Sequence, residues 1–148
     1  LHRVDRRQRQ MCIRDRNEGH GGFVIGSEMS RGVKDILVEN CTFVGTDVGV
    51  RMKSALGRGG VVENITLRNI YMSEIKGEAV ILTMSYVLNS LNRNETIAME
   101  NEEDIPYFRD LSMENIEVTG CRQFTKLEPL QGRPETIRNV VVNGQKLV

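Results

Sequence analysis

The sequence predicts an all-β protein built as a parallel β-helix, in which successive coils stack along one axis. Two observations lead to this fold class. Equivalent apolar segments end at Asn40 and Asn69, so the pattern repeats after 29 residues. Within each copy apolar and polar residues alternate, which is typical of a strand with one buried face. A repeat of that length indicates stacked units that bury a continuous core between neighbours.

Four copies of the repeat can be aligned. They cover residues 35–41, 64–70, 110–116 and 139–144, and the third copy begins 46 residues after the second instead of 29. An insertion of about 17 residues (46 − 29) is therefore expected between them. In the fourth copy, we expect Gly144 to take the place of the asparagine.

Asparagines at one register are expected to stack at the bends between strands. Asn40, Asn69 and Asn115 share this register. Asparagine tolerates the left-handed backbone conformation and bonds nearby backbone groups, so it turns a coil at low cost. The alternative is a sandwich with unrelated hairpin turns. Such a sandwich gives turn signals every ~8–12 residues and has no long-range register.

Composition and charge narrow the class of protein. The 148 residues suffice for one domain, and the absence of Trp with 5% aromatic residues predicts an aliphatic core. A net charge of zero argues against a nucleic-acid or anionic-membrane partner. No apolar run approaches the ~18–20 residues of a membrane span. The three cysteines form no C-x-x-C pair, so we predict no metal, no cofactor and no disulfide framework, with Cys41 as a small buried residue.

The first residues differ from the rest of the chain. Residues 1–16 contain six arginines and almost no apolar periodicity, and they resemble translated sequencing-adaptor sequence. We therefore expect residues 1–18 to be a disordered or non-native leader, and residues 19–148 to be the coils of a single β-helix domain. A basic arm that binds nucleic acid is the alternative.

Two short segments carry candidate functional residues. His20 lies between glycines, which permit a tight bend and leave space around the imidazole. It is either functional or an ordinary turn residue. Farther along, strand alternation places Gly49, Arg51 and Lys53 on one face, with the two cations roughly 6.5–7 Å apart.

Two cations so close repel each other unless an anion lies between them. The fork of Arg51 suits a carboxylate, Lys53 adds a point charge, and Gly49 is expected to leave the adjoining surface open. Alternatively, this is a solvated face whose cations pair with Asp47 or Glu28.

Among the loops, residues 57–60 are expected to close one coil. Residues 84–108 are expected to form a long surface loop, a wall of a cleft if functional.

The motifs at residues 19–28, 45–54 and 57–60 together resemble the polygalacturonases of glycoside hydrolase family 28. The resemblance implies a right-handed, pectin-lyase-like parallel β-helix, of which this chain holds the C-terminal coils. It also implies a secreted or periplasmic enzyme, monomeric at full length, that hydrolyses α-1,4-linked galacturonic acid in pectin with inversion. By motif, His20 is the active-site histidine that helps orient the acid machinery, and Arg51 and Lys53 hold the galacturonate carboxylate.

The sequence departs from the family in its acidic residues. The family's Asn-Thr-Asp motif and Asp-Asp pair are both absent, whereas inversion requires two carboxyl groups about 6.5–9.5 Å apart. Asp35 and Asp47 lie within or beside turns and are not expected to replace them. We therefore expect a fragment that is inactive alone and prone to aggregate. The alternatives are a non-catalytic polysaccharide-binding or structural β-helix module, and a pectate-lyase-like enzyme with calcium ligands.

Overall fold

The computed structural model describes residues 8–11, 19–85 and 101–148. Within them ten strands and two short 3₁₀ helices follow the chain. The strands are β1 (Gln8–Met11), β2 (Phe23–Ile25), β3 (Val33–Val44), β4 (Val50–Lys53), β5 (Val61–Ser73), β6 (Glu78–Thr83), β7 (Tyr107–Val118), β8 (Gln123–Glu128), β9 (Ile137–Val142) and β10 (Gln145–Lys146), and the 3₁₀ helices are Glu102–Asp104 and Pro134–Thr136. None of the described helices is long and apolar enough to cross a membrane.

The strands form two sheets whose order shows a solenoid. One sheet has the order β1-β3-β5-β7-β9-β10 and the other the order β2-β4-β6-β8. All pairs except β9–β10 are parallel, so the chain alternates between the sheets and adds one strand to each per coil. The predicted right-handed parallel β-helix is confirmed.

The register of the six-stranded sheet equals the sequence repeat. Leu67 of β5 pairs with Val38 of β3 and with Met113 of β7, which gives offsets of 29 and 46 residues. Met113 in turn pairs with Val142 of β9, again 29 residues later. The predicted alignment, with its insertion before the third copy, is therefore correct for all four copies.

Left-handed bends divide each long strand into short straight segments. Asn40, Asn69 and Asn115 have φ values of 57°, 54° and 51°. The Asn69 Nδ2 donates to Asn40 Oδ1 at 3.0 Å, and the Asn115 Nδ2 donates to Asn69 Oδ1 at 2.9 Å. The predicted asparagine ladder is thus present, and it connects three coils at one corner.

A second row of bends lies five residues earlier in each coil and was not predicted. Its members are Asp35, Asn64, Asp110 and Asn139, all at φ between 51° and 59°. Asn64 Nδ2 donates to Asp35 Oδ1 at 2.6 Å, and Asn139 Nδ2 donates to Asp110 Oδ1 at 2.6 Å. Two corners per coil therefore have amide or carboxylate side chains that bond to the neighbouring coil.

Aliphatic residues fill the interior as stacked rows, as the composition predicted. One row runs through Ile36, Ile65, Leu111 and Val140, and another passes from β4 to β8 through Met52, Leu82 and Leu127. Ile65, Leu82 and Met52 are completely buried. Cys41 is 2% exposed in a row with Ile70 and Ile116, which confirms its prediction as a small core residue.

The last coil ends differently from the prediction for Gly144. Asn143 and Gly144, both with positive φ, form a two-residue hairpin turn between β9 and the antiparallel β10. Gly144 therefore does not continue the ladder, because the chain reverses there. Instead Asn143 accepts from the Ile116 N–H at 2.8 Å and donates to the Ile116 carbonyl at 2.9 Å.

Residues 8–11 lie inside the segment predicted to be a disordered or non-native leader. They form β1, which pairs in parallel with β3 from Ile36 to Glu39. For these four residues the structure differs from the predicted disorder, because their backbone continues the sheet for one more strand. The non-native origin of residues 1–18 stays a prediction.

Candidate active site

The outer face of the four-stranded sheet contains the predicted cation pair. In β4 the apolar Val50 and Met52 are completely buried, while Arg51 and Lys53 between and after them are partly exposed. Both cations therefore point away from the core, as strand alternation predicted. β4 is flanked by β2 and β6 in register, so the cations lie within the sheet and not at its edge.

Gly49 does not leave an open surface beside the cations, so that prediction is wrong. A Cβ at this position would collide with Met72 Sδ and lie 2.5 Å from the Ala79 carbonyl oxygen. The Gly49 N–H also donates to the Glu78 carbonyl at 3.1 Å. Glycine is required here because the backbone approaches the next coil closely, which sequence alternation cannot reveal.

Arg51 has no side-chain hydrogen bond or ion pair with any residue of the described ranges. Asp47 and Glu28, the partners expected for an ordinary solvated face, are engaged elsewhere. Asp47 pairs with His20 and with Lys76, and Glu28 pairs with Arg58 at 3.5 Å. The guanidinium of Arg51 is therefore available for a bound anion.

His20 lies in a glycine-rich turn that contacts the residues just before β4. The Gly22 N–H donates to the Val48 and Gly49 carbonyls, at 3.1 and 2.9 Å, and the Asp47 N–H donates to the Gly19 carbonyl at 3.0 Å. These bonds hold the glycine-rich turn against the chain that leads into β4. His20 Nδ1 lies 3.1 Å from Asp47 Oδ2, and 96% of its side chain is exposed.

Asp47 links the histidine to a further cation. Its other oxygen, Oδ1, lies 3.7 Å from Lys76 Nζ. Asp47 precedes Arg51 by four residues, so their Cα atoms are separated by at most about 14 Å of extended chain. His20 is thus held near the chain that leads into β4, and the roles of His20, Arg51 and Lys53 in binding or catalysis stay predictions.

Two further charged residues share this face and were not predicted. In β8, Lys126 aligns with Arg51 through Ile81, and Glu128 aligns with Lys53 through Thr83. The signal available in the sequence was the polar alternation of residues 124–128. Because β8 lies outside the four repeat copies, the sequence alone could not predict its register with β4.

The two β8 residues form a close ion pair. Lys126 Nζ lies 2.8 Å from Glu128 Oε1. This hydrogen bond, followed by one from the Thr83 hydroxyl, lowers the pKa of Glu128, and the same carboxylate raises the pKa of Lys126. Both groups are charged at neutral pH, and together they add no net charge to the face.

Two pockets that the described residues form lie away from Arg51, Lys53 and His20. These pockets, of about 460 and 340 Å³, are lined by residues 30–34 with 60–63 and by residues 124–125 with 142–147. Within residues 19–85 and 101–148, no group of three His, Cys, Asp or Glu side chains is placed to hold a metal ion. Most of the loop predicted at 84–108 lies outside the described residues.

Comparison with known proteins gives the family. The model of glycosyl hydrolases family 28 matches residues 10–145. The chain belongs to this family. An exo-poly-alpha-D-galacturonosidase of Dickeya chrysanthemi is 38% identical over 100 residues, which are 68% of this chain and 16% of that protein. A polygalacturonase of Ralstonia solanacearum is 34% identical over 133 residues, which are 85% of this chain and 24% of that protein.

A solved structure agrees with the fold of this family 28 chain. The crystal structure of a hyperthermoactive exopolygalacturonase from Thermotoga maritima superposes with a TM-score of 0.57 at 23% identity, covering 86% of this chain and 32% of that one. The chain therefore spans less than a third of the length of each of these three proteins. The resemblance to family 28 noted in the sequence is confirmed, and it extends over almost the whole chain.

Proposed function

We propose that this chain is part of a polygalacturonase that hydrolyses α-1,4-linked galacturonic acid in pectin with inversion. The observation that carries the proposal is the outward-facing pair of Arg51 and Lys53, with no side-chain partner for Arg51 in the described ranges. Family membership and the names of the similar proteins support the substrate class. The pectic chain is the expected partner, and the full-length protein is expected to be a secreted or periplasmic monomer.

The cation pair holds the acidic sugar by its carboxylate. A guanidinium offers two parallel N–H donors to a carboxylate, which fixes both the position and the rotation of the sugar ring. Lys53 lies two residues away on the same face and adds a second positive charge to it.

His20 acts as a positioning group. The contact between its Nδ1 and the Asp47 carboxylate fixes the plane of the ring and leaves Nε2 to face solvent. Lys76 holds the other oxygen of Asp47, so the carboxylate is restrained from two directions. An imidazole held in this way can donate to, or accept from, the carboxyl group that protonates the leaving oxygen.

The chain itself is expected to bind without hydrolysing. Inversion needs a carboxylic acid and a carboxylate about 6.5–9.5 Å apart with a water molecule between them. Asp35 is engaged with Asn64 at a coil corner, and Asp47 is engaged with His20 and Lys76. We therefore expect no release of reducing ends from polygalacturonate by the purified chain. Measurable hydrolysis would contradict this part of the proposal.

Binding tests the proposal directly. We expect the purified chain to bind oligogalacturonates in a calorimetric or NMR titration, and Arg51→Ala to weaken binding about ten- to hundredfold, as for loss of a hydrogen bond to a charged group. Arg138→Ala is the matched control, because Arg138 is exposed on β9 of the other sheet. Equal affinities for the Arg51 variant and the unsubstituted chain would contradict the proposal and favour a structural β-helix module.

A further inference from the structure

We propose that Lys126 and Glu128 form a second sugar-binding subsite, which recognises the hydroxyl groups of a pectic chain without requiring a carboxylate. The inference rests on the proposed function, since it concerns a neighbouring unit of the same polysaccharide. It starts from the shared outer face of β4, β6 and β8, where Lys126 aligns with Arg51 and Glu128 aligns with Lys53.

The spacing of the two pairs suits one extended ligand. Adjacent strands lie roughly 4.7–4.9 Å apart, so β4 and β8, separated only by β6, are about 9.5 Å apart. A polysaccharide that crosses the strands from Arg51 must pass over Ile81 before it reaches Lys126. Ile81 shares their face of the sheet and is only 7% exposed, so neighbouring side chains cover most of it.

The Lys126–Glu128 pair is held in a fixed geometry. Glu128 accepts from Lys126 and from the Thr83 hydroxyl, and the Thr83 hydroxyl oxygen itself accepts from the Ser85 N–H at 3.1 Å. The Thr83 hydroxyl proton is thereby committed to the carboxylate. Glu128 therefore has a polar neighbour on β6 as well as Lys126 on its own strand.

The two subsites differ in net charge. Arg51 has no carboxylate partner among the described residues, so a bound anion there meets uncompensated positive charge. At β8 the positive charge of Lys126 is balanced by Glu128, and a second carboxylate would be repelled as strongly as it is attracted. Two donors of Lys126 and the remaining lone pairs of Glu128 are instead suited to sugar hydroxyls, which both donate and accept.

The predicted selectivity follows from this difference. A galacturonate unit at Arg51 must be charged, whereas the unit at β8 is tolerated equally as a free acid, a methyl ester or a neutral sugar. We expect Lys126→Ala to weaken binding of an oligogalacturonate that reaches both subsites about fivefold, as for one hydrogen bond to a neutral group. The loss is expected for methyl-esterified and unesterified oligomers alike, and at low salt it should be larger for the unesterified ones, because the variant leaves the negative charge of Glu128 unbalanced.

Glu128→Gln tests the charge balance without removing the hydrogen-bonding side chain. Loss of the negative charge exposes Lys126, so this variant is expected to bind unesterified oligomers more tightly than the unsubstituted chain does, with no gain for esterified ones. Lys34→Ala, on the exposed face of β3 in the other sheet, is the control and should bind as the unsubstituted chain does. Calorimetric titrations with unesterified oligogalacturonates, and with partly methyl-esterified ones of the same length that keep free carboxyl groups for Arg51, give each comparison.

The outcomes distinguish the subsite from the function on which it rests. A chain that loses affinity in Arg51→Ala but not in Lys126→Ala overturns the β8 subsite and leaves the proposed function intact. A fivefold loss confined to unesterified oligomers also overturns it, because Lys126 would then be binding a carboxylate. If the unsubstituted chain fails to bind any oligogalacturonate, both proposals are refuted.

Discussion

Replacing Asn69 tests how much the asparagine ladder stabilises the solenoid. Asn69 is the central member of its row, since its side chain donates to Asn40 and accepts from Asn115. Its backbone has a φ of 54°, in the left-handed region. Asn69→Ala therefore removes two inter-coil hydrogen bonds and also places an alanine where its Cβ meets the following carbonyl oxygen.

The two contributions can be estimated separately. The corner is exposed, so each hydrogen bond is expected to contribute at the low end of the usual range, about 0.5 kcal/mol. The left-handed conformation costs a residue with a Cβ roughly 1–2 kcal/mol, but asparagine also has a Cβ and offsets only part of this cost by local hydrogen bonding, so the difference from alanine is at most about 1 kcal/mol. Asn69→Ala should thus lower the free energy of unfolding by about 1–2 kcal/mol. Asn69→Gly loses the same bonds without the strain, so it should be about 1 kcal/mol more stable than the alanine variant.

Urea denaturation followed by circular dichroism measures both differences. The comparison is valid if the dependence of the unfolding free energy on urea is the same in all three chains. Asn115→Ala gives a graded control, since this side chain donates only to Asn69 within the described ladder. If the alanine and glycine variants unfold at the same urea concentration as the unsubstituted chain, neither the ladder nor the left-handed bend stabilises the coils.

Two further predictions concern packing and pH. Gly49→Ala should lower the free energy of unfolding by about 1–3 kcal/mol in the same assay, because the added methyl group meets Met72 and the Ala79 carbonyl. An unchanged free energy of unfolding would mean that the two coils can move apart at Gly49 without cost. The hydrogen bond from Arg122 lowers the pKa of Glu78 below its usual 4.5, so this group stabilises the fold above that pH, and the stability is lost as the pH falls through the lowered value. Glu78→Gln should therefore flatten the loss of stability below about pH 4.5, and an unchanged acid transition would rule out this pair as a contributor.

The sequence was sufficient for the architecture because the repeat is a long-range signal. One offset of 29 residues fixes which strands pair, in what register and with which face inward, so the pairing of Leu67 with Val38 followed from the alignment alone. The same alternation placed Arg51 and Lys53 outward. Each of these predictions required only the period of the pattern and the two-residue period of a strand.

The details that were missed depend on contacts between segments without a common repeat. The tight approach of Gly49 to the next coil is one such contact, and the alignment of Lys126 with Arg51 is another. Gly144 does align with the ladder asparagines in the sequence, but the backbone reverses direction there. The dipeptide Asn143-Gly144 favours a two-residue hairpin turn, so the chain does not go on to another coil at this point. The row beginning at Asp35 was missed because carboxylate and amide members alternate in it.

Strand alignment gives some arginines a carboxylate partner and leaves Arg51 without one, and this difference supports placing the proposed site on the smaller sheet. On the six-stranded sheet, Arg68 Nε donates to Glu39 Oε2 at 2.8 Å, and Arg109 Nε donates to Glu63 Oε2 at the same distance, each pair joining neighbouring coils.

These in-register pairs satisfy the guanidinium groups of Arg68 and Arg109. On the four-stranded sheet, Arg51 aligns with Val24 on one side and Ile81 on the other, both apolar. Arg51 therefore has no carboxylate in register with it on either adjacent strand. Its charge is therefore directed outward, and the same stacking that neutralises arginines on one face exposes this one on the other.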